Sequence, residues 1–164
     1  MFKIELKGDR ELIARLERTP ATVRKELTRE VTALVLLLES HIKTRKLSGQ
    51  VLHVRSGDLR RSIHAVLPVM QTEHSVIGKV AQSGDVKYGG IHEFGGRTPA
   101  HVIEAKKAAA LHFVMGGKDV FAKRVNHPGS QMPERSFMRS SLRDLRDEII
   151  DRLQAAVKRG MEQE

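Results

Sequence analysis

His92 and Glu93 come nearest, in residue type and spacing, to a known catalytic motif. A zinc protease helix carries two histidines four positions apart, with a glutamate beside the first, so that both imidazoles face one metal ion. Here the fourth position after His92 is Gly96, and the glycine pairs on either side of the segment disfavour a helix. We therefore predict no zinc protease site, and a backbone that turns sharply twice between Tyr88 and Gly96.

Other candidate chemistry is weaker. His101, His112 and His127 could join His92 around a metal ion, but nothing in their spacing requires it. The chain has no cysteine, which excludes thiolate ligands and cysteine nucleophiles. Ser136 does not lie in a Gly-x-Ser-x-Gly turn, and neither glycine pair is followed by the Lys-Ser/Thr of a phosphate loop. We expect no enzyme activity, cofactor or metal, and a small hydrolase with a histidine site is kept as an alternative.

The charge is uneven along the chain. The net charge is +9, and residues 43–124 hold 14 basic and 6 acidic side chains. A localised basic excess indicates a polyanion or an acidic partner, and a solvated basic face is the alternative interpretation. Aromatic residues make up only 4%, so any nucleic-acid contact would be with phosphates. The predicted carriers of the partner or DNA contact lie within 19 positions: Lys43, Arg45, Lys46, Arg55, Arg60 and Arg61.

Apolar periodicity predicts the elements that position these residues. Apolar residues from Val23 to Ile42 recur every three or four positions, which predicts a helix of about 24 residues after Pro20. A second amphipathic helix is predicted from Glu134 to about Arg159, with Gly160 as its stop. The remaining expected elements are a strand at 2–6, a short helix at 10–18, a capped turn at 56–63, strands at 63–70 and 75–81, and a hairpin of 111–115 with 120–125.

This order predicts a single α+β domain over residues 1–164. Helices grouped at both ends around consecutive hairpins favour an antiparallel β-sheet with the two long helices packed on one face. Long extended loops are expected near 84–99 and 116–133, where glycine and proline are frequent. The charged start gives no signal peptide, and the longest apolar run is far shorter than a membrane span needs.

Three short blocks carry a resemblance to a known family. Tyr88 to Gly95 fits the pattern Y-x-x-x-H-E-F-G, and Gly57 to Ile63 fits G-x-L-x-x-S-I. The third block is Val125 to Gly129 followed by Pro133 to Met138. In their order along the chain the blocks resemble the neck, head–tail joining or tail completion proteins of tailed phages, similar to the lambda-type minor tail protein Z group. Many relatives carry Pro-Phe before the last helix, whereas Glu134 to Ser136 separate Pro133 from Phe137 here.

The resemblance implies a structural virion protein at the head–tail junction, which completes the tail or connector and allows DNA to pass. It implies a ring of copies, six-fold in the expected form, that contacts head-completion or connector proteins and tail terminator or tail tube proteins. The protein would lie in the virion neck, and in the host cytoplasm during assembly. A free-standing basic domain that binds nucleic acid independently of sequence is the alternative. The subunit interface implied by the resemblance contains Tyr88, Ile91, His92, Glu93, Phe94, His127, Pro128 and Phe137.

Overall fold

The computed structural model describes residues 3–5, 21–72, 75–84, 86, 88–106 and 108–162, and the short helix predicted over 10–18 lies outside them. In chain order the elements are β1 (Lys3–Glu5), α1 (Ala21–His41, continued by a π-helical turn, Ile42–Lys46), α2 (Asp58–Ser62), β2 (Ile63–Gln71), β3 (Val76–Gln82), α3 (Gly89–Phe94), β4 (Gly96–Arg97), β5 (His101–Glu104), β6 (Leu111–Met115), β7 (Lys118–Ala122), β8 (Arg124–His127), β9 (Gln131–Met132), α4 (Met138–Asp144) and α5 (Arg146–Glu162).

A three-stranded antiparallel sheet and α1 form the centre of the fold. Strand β3 lies between β1 and β2, and the register pairs Ile63 with Gln82 and Ala65 with Val80. Helix α1 packs on β2 and β3. Gly78 permits this contact, because a Cβ there would lie 2.3 Å from a methyl group of Val35. The α+β class and the strands predicted at 63–70 and 75–81 are confirmed.

The two long helices pack against each other in antiparallel directions. The predicted apolar stripe of α1 is buried from Val23 to Ile42. Glu30 on α1 accepts hydrogen bonds from Arg152 and Arg159 on α5, both at 2.7 Å. Side chains of α1, β2, β3, α4 and α5 join in one apolar core. The predicted pairing of the two long helices is therefore confirmed.

The final helix differs from its prediction at both ends. It begins at Met138 instead of Glu134, and it is interrupted at Leu145. Gly160 does not end the helix, which continues to Glu162. Gly160 is buried against α1, and a Cβ there would lie 2.4 Å from the Cα of Val23. The glycine is thus needed for the close crossing of two helices.

The strands between Gly96 and Met132 form a long hairpin, which we call the arm. Three antiparallel pairs follow one another outward: β4 with β9, β5 with β8, and β6 with β7. Gly116 and Gly117 make the turn at its tip, both with positive φ. The hairpin predicted around this turn is confirmed, with a tighter turn. The range 116–133, predicted as an extended loop, contains the paired strands β7, β8 and β9.

Candidate functional site

The segment from Tyr88 to Gly95 contains a short helix, so the prediction of a non-helical backbone is wrong. Helix α3 spans Gly89–Phe94, and Gly95 ends it with a φ of +68°. The glycines serve close approach instead of preventing the helix. A Cβ on Gly89 would lie 1.9 Å from the Gln82 side chain, and one on Gly95 would lie 2.8 Å from the backbone nitrogen of Glu134.

The carboxylate of Glu93 joins α3 to the start of α4. Glu93 is only 1% exposed. Its Oε2 accepts hydrogen bonds from the backbone N–H groups of Phe137 at 2.7 Å and Met138 at 2.9 Å. Its Oε1 accepts from the backbone N–H of Arg139 at 2.9 Å and from the Ser136 hydroxyl at 2.8 Å. The carboxylate therefore binds the N–H groups that the first turn of a helix leaves without intrahelical partners.

The electrostatics of this contact favour an ionised Glu93. Burial alone would raise its pKa, but the backbone N–H groups of Met138, Arg139 and Phe137 and the Ser136 hydroxyl hold the pKa below its ordinary value of 4.5. The Arg139 guanidinium donates to Glu93 Oε1 at 3.1 Å and lies 4.5 Å from the centre of the Phe94 ring. The Arg135 backbone N–H also donates to the His92 carbonyl at 2.7 Å. The first and third sequence blocks are thus held together inside one chain.

The predicted interface residues divide into two groups. Glu93 and Phe137, expected to contact a neighbouring subunit, are instead buried within the chain, at 1% and 0% exposure. Their function in this fold is internal, because a side chain without accessible surface cannot contact a partner. The remaining predicted residues keep surface: Tyr88, Phe94 and Pro128 are exposed, and Ile91, His92 and His127 are half-buried.

The predicted basic residues are also divided. Lys43 pairs with Glu39, Lys46 pairs with Asp144 at 2.6 Å, and Arg61 pairs with Asp58. Half of the set therefore has an acidic partner inside the chain. The other members, Arg45, Arg55 and Arg60, are exposed and form no ion pair within the described part of the chain.

Arg55 and Arg60 border a cleft of about 560 Å³ that also reaches the Tyr88–Gly95 segment. Tyr88 and His92 line one side, and Leu47, Leu52 and Val54 contribute apolar surface. Arg135 lines the cleft as well. The sequence analysis missed Arg135. This residue reaches the cleft because Glu93 binds the start of α4, which follows Arg135 in the chain.

The imidazole of His92 lies at this cleft. Burial, and next the positive charge of Arg135, lower the pKa of His92 below its ordinary value of 6.5. Its Nδ1 is buried and has no hydrogen-bond partner among the described residues. The Tyr88 ring meets the imidazole edge-on, with 6.0 Å between the ring centres.

The other three histidines considered as metal ligands lie on the arm. His101 and His127 face each other across β5 and β8, with 5.0 Å between ring centres. His112 stacks on Phe121 and hydrogen-bonds to Asp119 at 2.7 Å. In the described residues, no three histidine, aspartate or glutamate side chains are grouped as a metal site would need.

Fold and site together define an α+β protein with a projecting hairpin arm and a helix start held by a buried carboxylate. No family model, curated protein or solved structure matches this chain. Within the described ranges, no helix combines the length and apolar character needed to cross a bilayer.

Proposed function

We propose that this chain is a structural component of the phage head–tail junction, a neck or tail completion protein that acts as a ring of identical copies. It would join connector or head-completion proteins to tail terminator or tail tube proteins and leave an axial path for DNA. Its site would be the virion neck, after assembly in the host cytoplasm. On this proposal the chain is not an enzyme, and it acts through contacts with neighbouring subunits and partner proteins.

The arm is the observation that carries this proposal. In the described part of the chain each arm strand pairs only with its hairpin partner. The register places Leu111, Phe113 and Met115 of β6 on one face with Val120 and Ala122 of β7, and Lys118 is the charged residue of this face. An isolated two-stranded hairpin is at best marginally stable in water. An apolar hairpin of this kind is typical of a surface that neighbouring subunits cover.

The Glu93 contact supports the same proposal. It fixes the Tyr88–Gly95 segment on the start of α4 through charge-assisted hydrogen bonds. Tyr88 and Phe94 remain exposed at 44% and 50% on this rigid base. Exposed aromatic side chains on a fixed backbone are suited to subunit contacts, because little conformational entropy is lost on binding.

The apolar tip of the arm provides a direct test. Phe121 and Met115, which lie on opposite faces of the hairpin, are exposed at 70% and 67%, so replacing both with serine should leave the folded monomer intact. We expect the double variant to fail to restore head–tail joining in a host that produces particles without the wild-type chain. The matched control is Leu36→Ser, an exposed apolar residue on α1. If the double variant restores joining as well as the control does, the arm is not an assembly contact.

A nucleic-acid-binding domain is the second candidate, and basic side chains on the arm favour it. Arg97, Lys106, Lys118 and Lys123 are all exposed. Phosphate binding by such residues weakens steeply as the salt concentration rises. Two results together would favour this candidate: a salt-dependent affinity of the isolated monomer for duplex DNA, and normal head–tail joining in particles that lack this chain.

A further inference from the structure

Three arginines meet at the cleft between the α1–α2 connection and the Tyr88–Gly95 segment. Arg55 lies in the α1–α2 connection, Arg60 lies in α2, and Arg135 lies in the segment before α4. Across the described residues none of the three guanidinium groups has a carboxylate partner. Asp58 also lines the cleft, but its carboxylate is bound by Arg61 and Ser56. The cleft therefore has a net positive lining.

The lining is not uniformly charged. Leu47, Leu52 and Leu59 are buried beneath the cleft, and Val54 is 48% exposed at it. A phosphate backbone requires cations and polar donors but gains little from an apolar floor. An extended peptide with alternating side chains can place apolar groups on such a floor and direct carboxylates to a basic rim. The combination of arginines and aliphatic side chains thus favours protein over nucleic acid as the occupant.

We propose that this cleft is a docking site for an acidic peptide segment of a partner protein, in which carboxylates alternate with aliphatic residues. Arg55, Arg60 and Arg135 bind the carboxylates, and the exposed side chain of Val54, above the buried leucines, binds the aliphatic side chains. The His92 imidazole, whose Nδ1 has no hydrogen-bond partner in the described structure, lies at the same cleft. The inference deepens the proposed function and rests on it only in assigning the peptide to a head or tail partner.

Fluorescence anisotropy of the purified full-length chain tests the site. The probe is a labelled eight-residue peptide that alternates glutamate with leucine or valine. Two comparison peptides replace either every glutamate with glutamine or every aliphatic residue with serine. We expect both comparison peptides to bind more weakly than the probe, because each removes one of the two interactions. Equal binding of all three peptides would overturn the proposal.

Arginine variants locate the binding. The double variant Arg55→Ala with Arg60→Ala should weaken probe binding by about tenfold or more, since charge-assisted contacts of this kind govern complex lifetime. The control variant, Arg143→Ala with Arg146→Ala, removes the same charge from exposed positions of α4 and α5. Its affinity should stay within about twofold of the wild type. Equal losses in both variants would show that net charge, and not this cleft, binds the peptide.

A single-stranded oligonucleotide of matched length and label is the last ligand to be tested. Tighter binding of the oligonucleotide than of the probe, lost in the Arg55 and Arg60 variant, would assign the cleft to nucleic acid and overturn the proposal. These readings concern the purified chain alone. Failure of peptide binding is therefore distinguishable from failure of the head–tail proposal, which is read from particles.

Discussion

Glu93 is a buried charge whose hydrogen-bond partners lie 43 to 46 positions later in the sequence. A buried carboxylate is costly unless nearly all of its acceptor positions are used. Here the first turn of α4 and the Ser136 hydroxyl supply the donors. At the scale of single residues, the glutamate of the H-E-F-G block is therefore a structural connection between two parts of the chain.

Replacing Glu93 with alanine should destabilise the chain by about 3–5 kcal/mol, because buried N–H groups and Arg139 lose their acceptor. Urea unfolding of the purified chain measures this change. The control is Glu134→Gln, which removes the other carboxylate bound by Arg139 at 2.9 Å but at an exposed position. The control should change the free energy of unfolding by less than about 1 kcal/mol. Similar losses in the two variants would contradict the account.

Acid should weaken this contact in a defined direction. The pKa of Glu93 is depressed in the folded chain, so the unfolded chain takes up the proton first as pH falls. The stabilisation is present above pH 4.5, the ordinary pKa, and is lost as pH falls through the folded-state pKa. The free energy of unfolding of the wild type should therefore fall more steeply with acid than that of Glu93→Gln.

The comparison with Glu93→Gln isolates one group. Glu39 and Asp144 also have lowered pKa values: burial would raise the pKa of Glu39, but hydrogen bonds from Lys43 and the Ala65 backbone lower it, and Lys46 lowers the pKa of Asp144. Both remain in the variant, so their contributions cancel in the difference. Parallel pH dependences of the wild type and the variant would show that Glu93 does not titrate as proposed.

At the scale of elements, the helix pair and the arm show two kinds of packing. Helices α1 and α5 cover each other along aliphatic stripes, with Gly160 at the closest crossing. The arm has strand pairing without a covering layer in the described chain. The helices and the three-stranded sheet are therefore stabilised by their shared apolar core, whereas the arm depends on hairpin hydrogen bonds.

The crossing at Gly160 predicts an exception to helix propensity. Alanine normally stabilises a helix by about 1 kcal/mol relative to glycine. Here Gly160→Ala should instead destabilise by about 1–3 kcal/mol, because its Cβ would collide with the backbone of Val23. Gln154→Ala, at an exposed position of α5, is the control and should have little effect. If thermal unfolding shows that Gly160→Ala is as stable as the wild type, the two helices do not approach each other as closely as described here.

The arm predicts an uneven pattern of hydrogen exchange. In the isolated chain, amides of β6 and β7 should exchange faster than those of β2 and β3, which belong to the sheet packed on α1. In the assembled particle the arm amides should become protected, because neighbouring subunits cover them. Equal protection of the arm in both states would show that assembly does not use it.

At the scale of the whole molecule, the sequence predicts the parts that depend on local periodicity. The apolar stripe of α1, the strands β2 and β3 and the glycine turn of the arm all follow from side-chain patterns. Helix α3 was missed because glycine pairs indicate turns, and here they instead allow close approach to Gln82 and Glu134. A helix start at Met138 was missed although Ser136 precedes it, and the Ser136 hydroxyl accepts a hydrogen bond from the Ser140 backbone N–H in the first turn.

Long-range contacts explain the rest of the difference. The internal positions of Glu93 and Phe137 depend on two segments that meet only in the folded chain. The same contact brings Arg135 to the cleft of Arg55 and Arg60, which no local pattern contains. Lys46 and Asp144, which form an ion pair, are likewise far apart in the sequence. Side-chain type alone does not predict which charges are neutralised inside a fold.

Electron microscopy of particles made without this chain tests the proposed function most directly. The coding sequence is deleted from the genome that carries it, particle production is induced, and the wild-type chain is returned as the control. The account predicts filled heads and separate or defective tails after deletion, with joined particles on return of the wild type. Normal, infectious, joined particles from the deletion would contradict it.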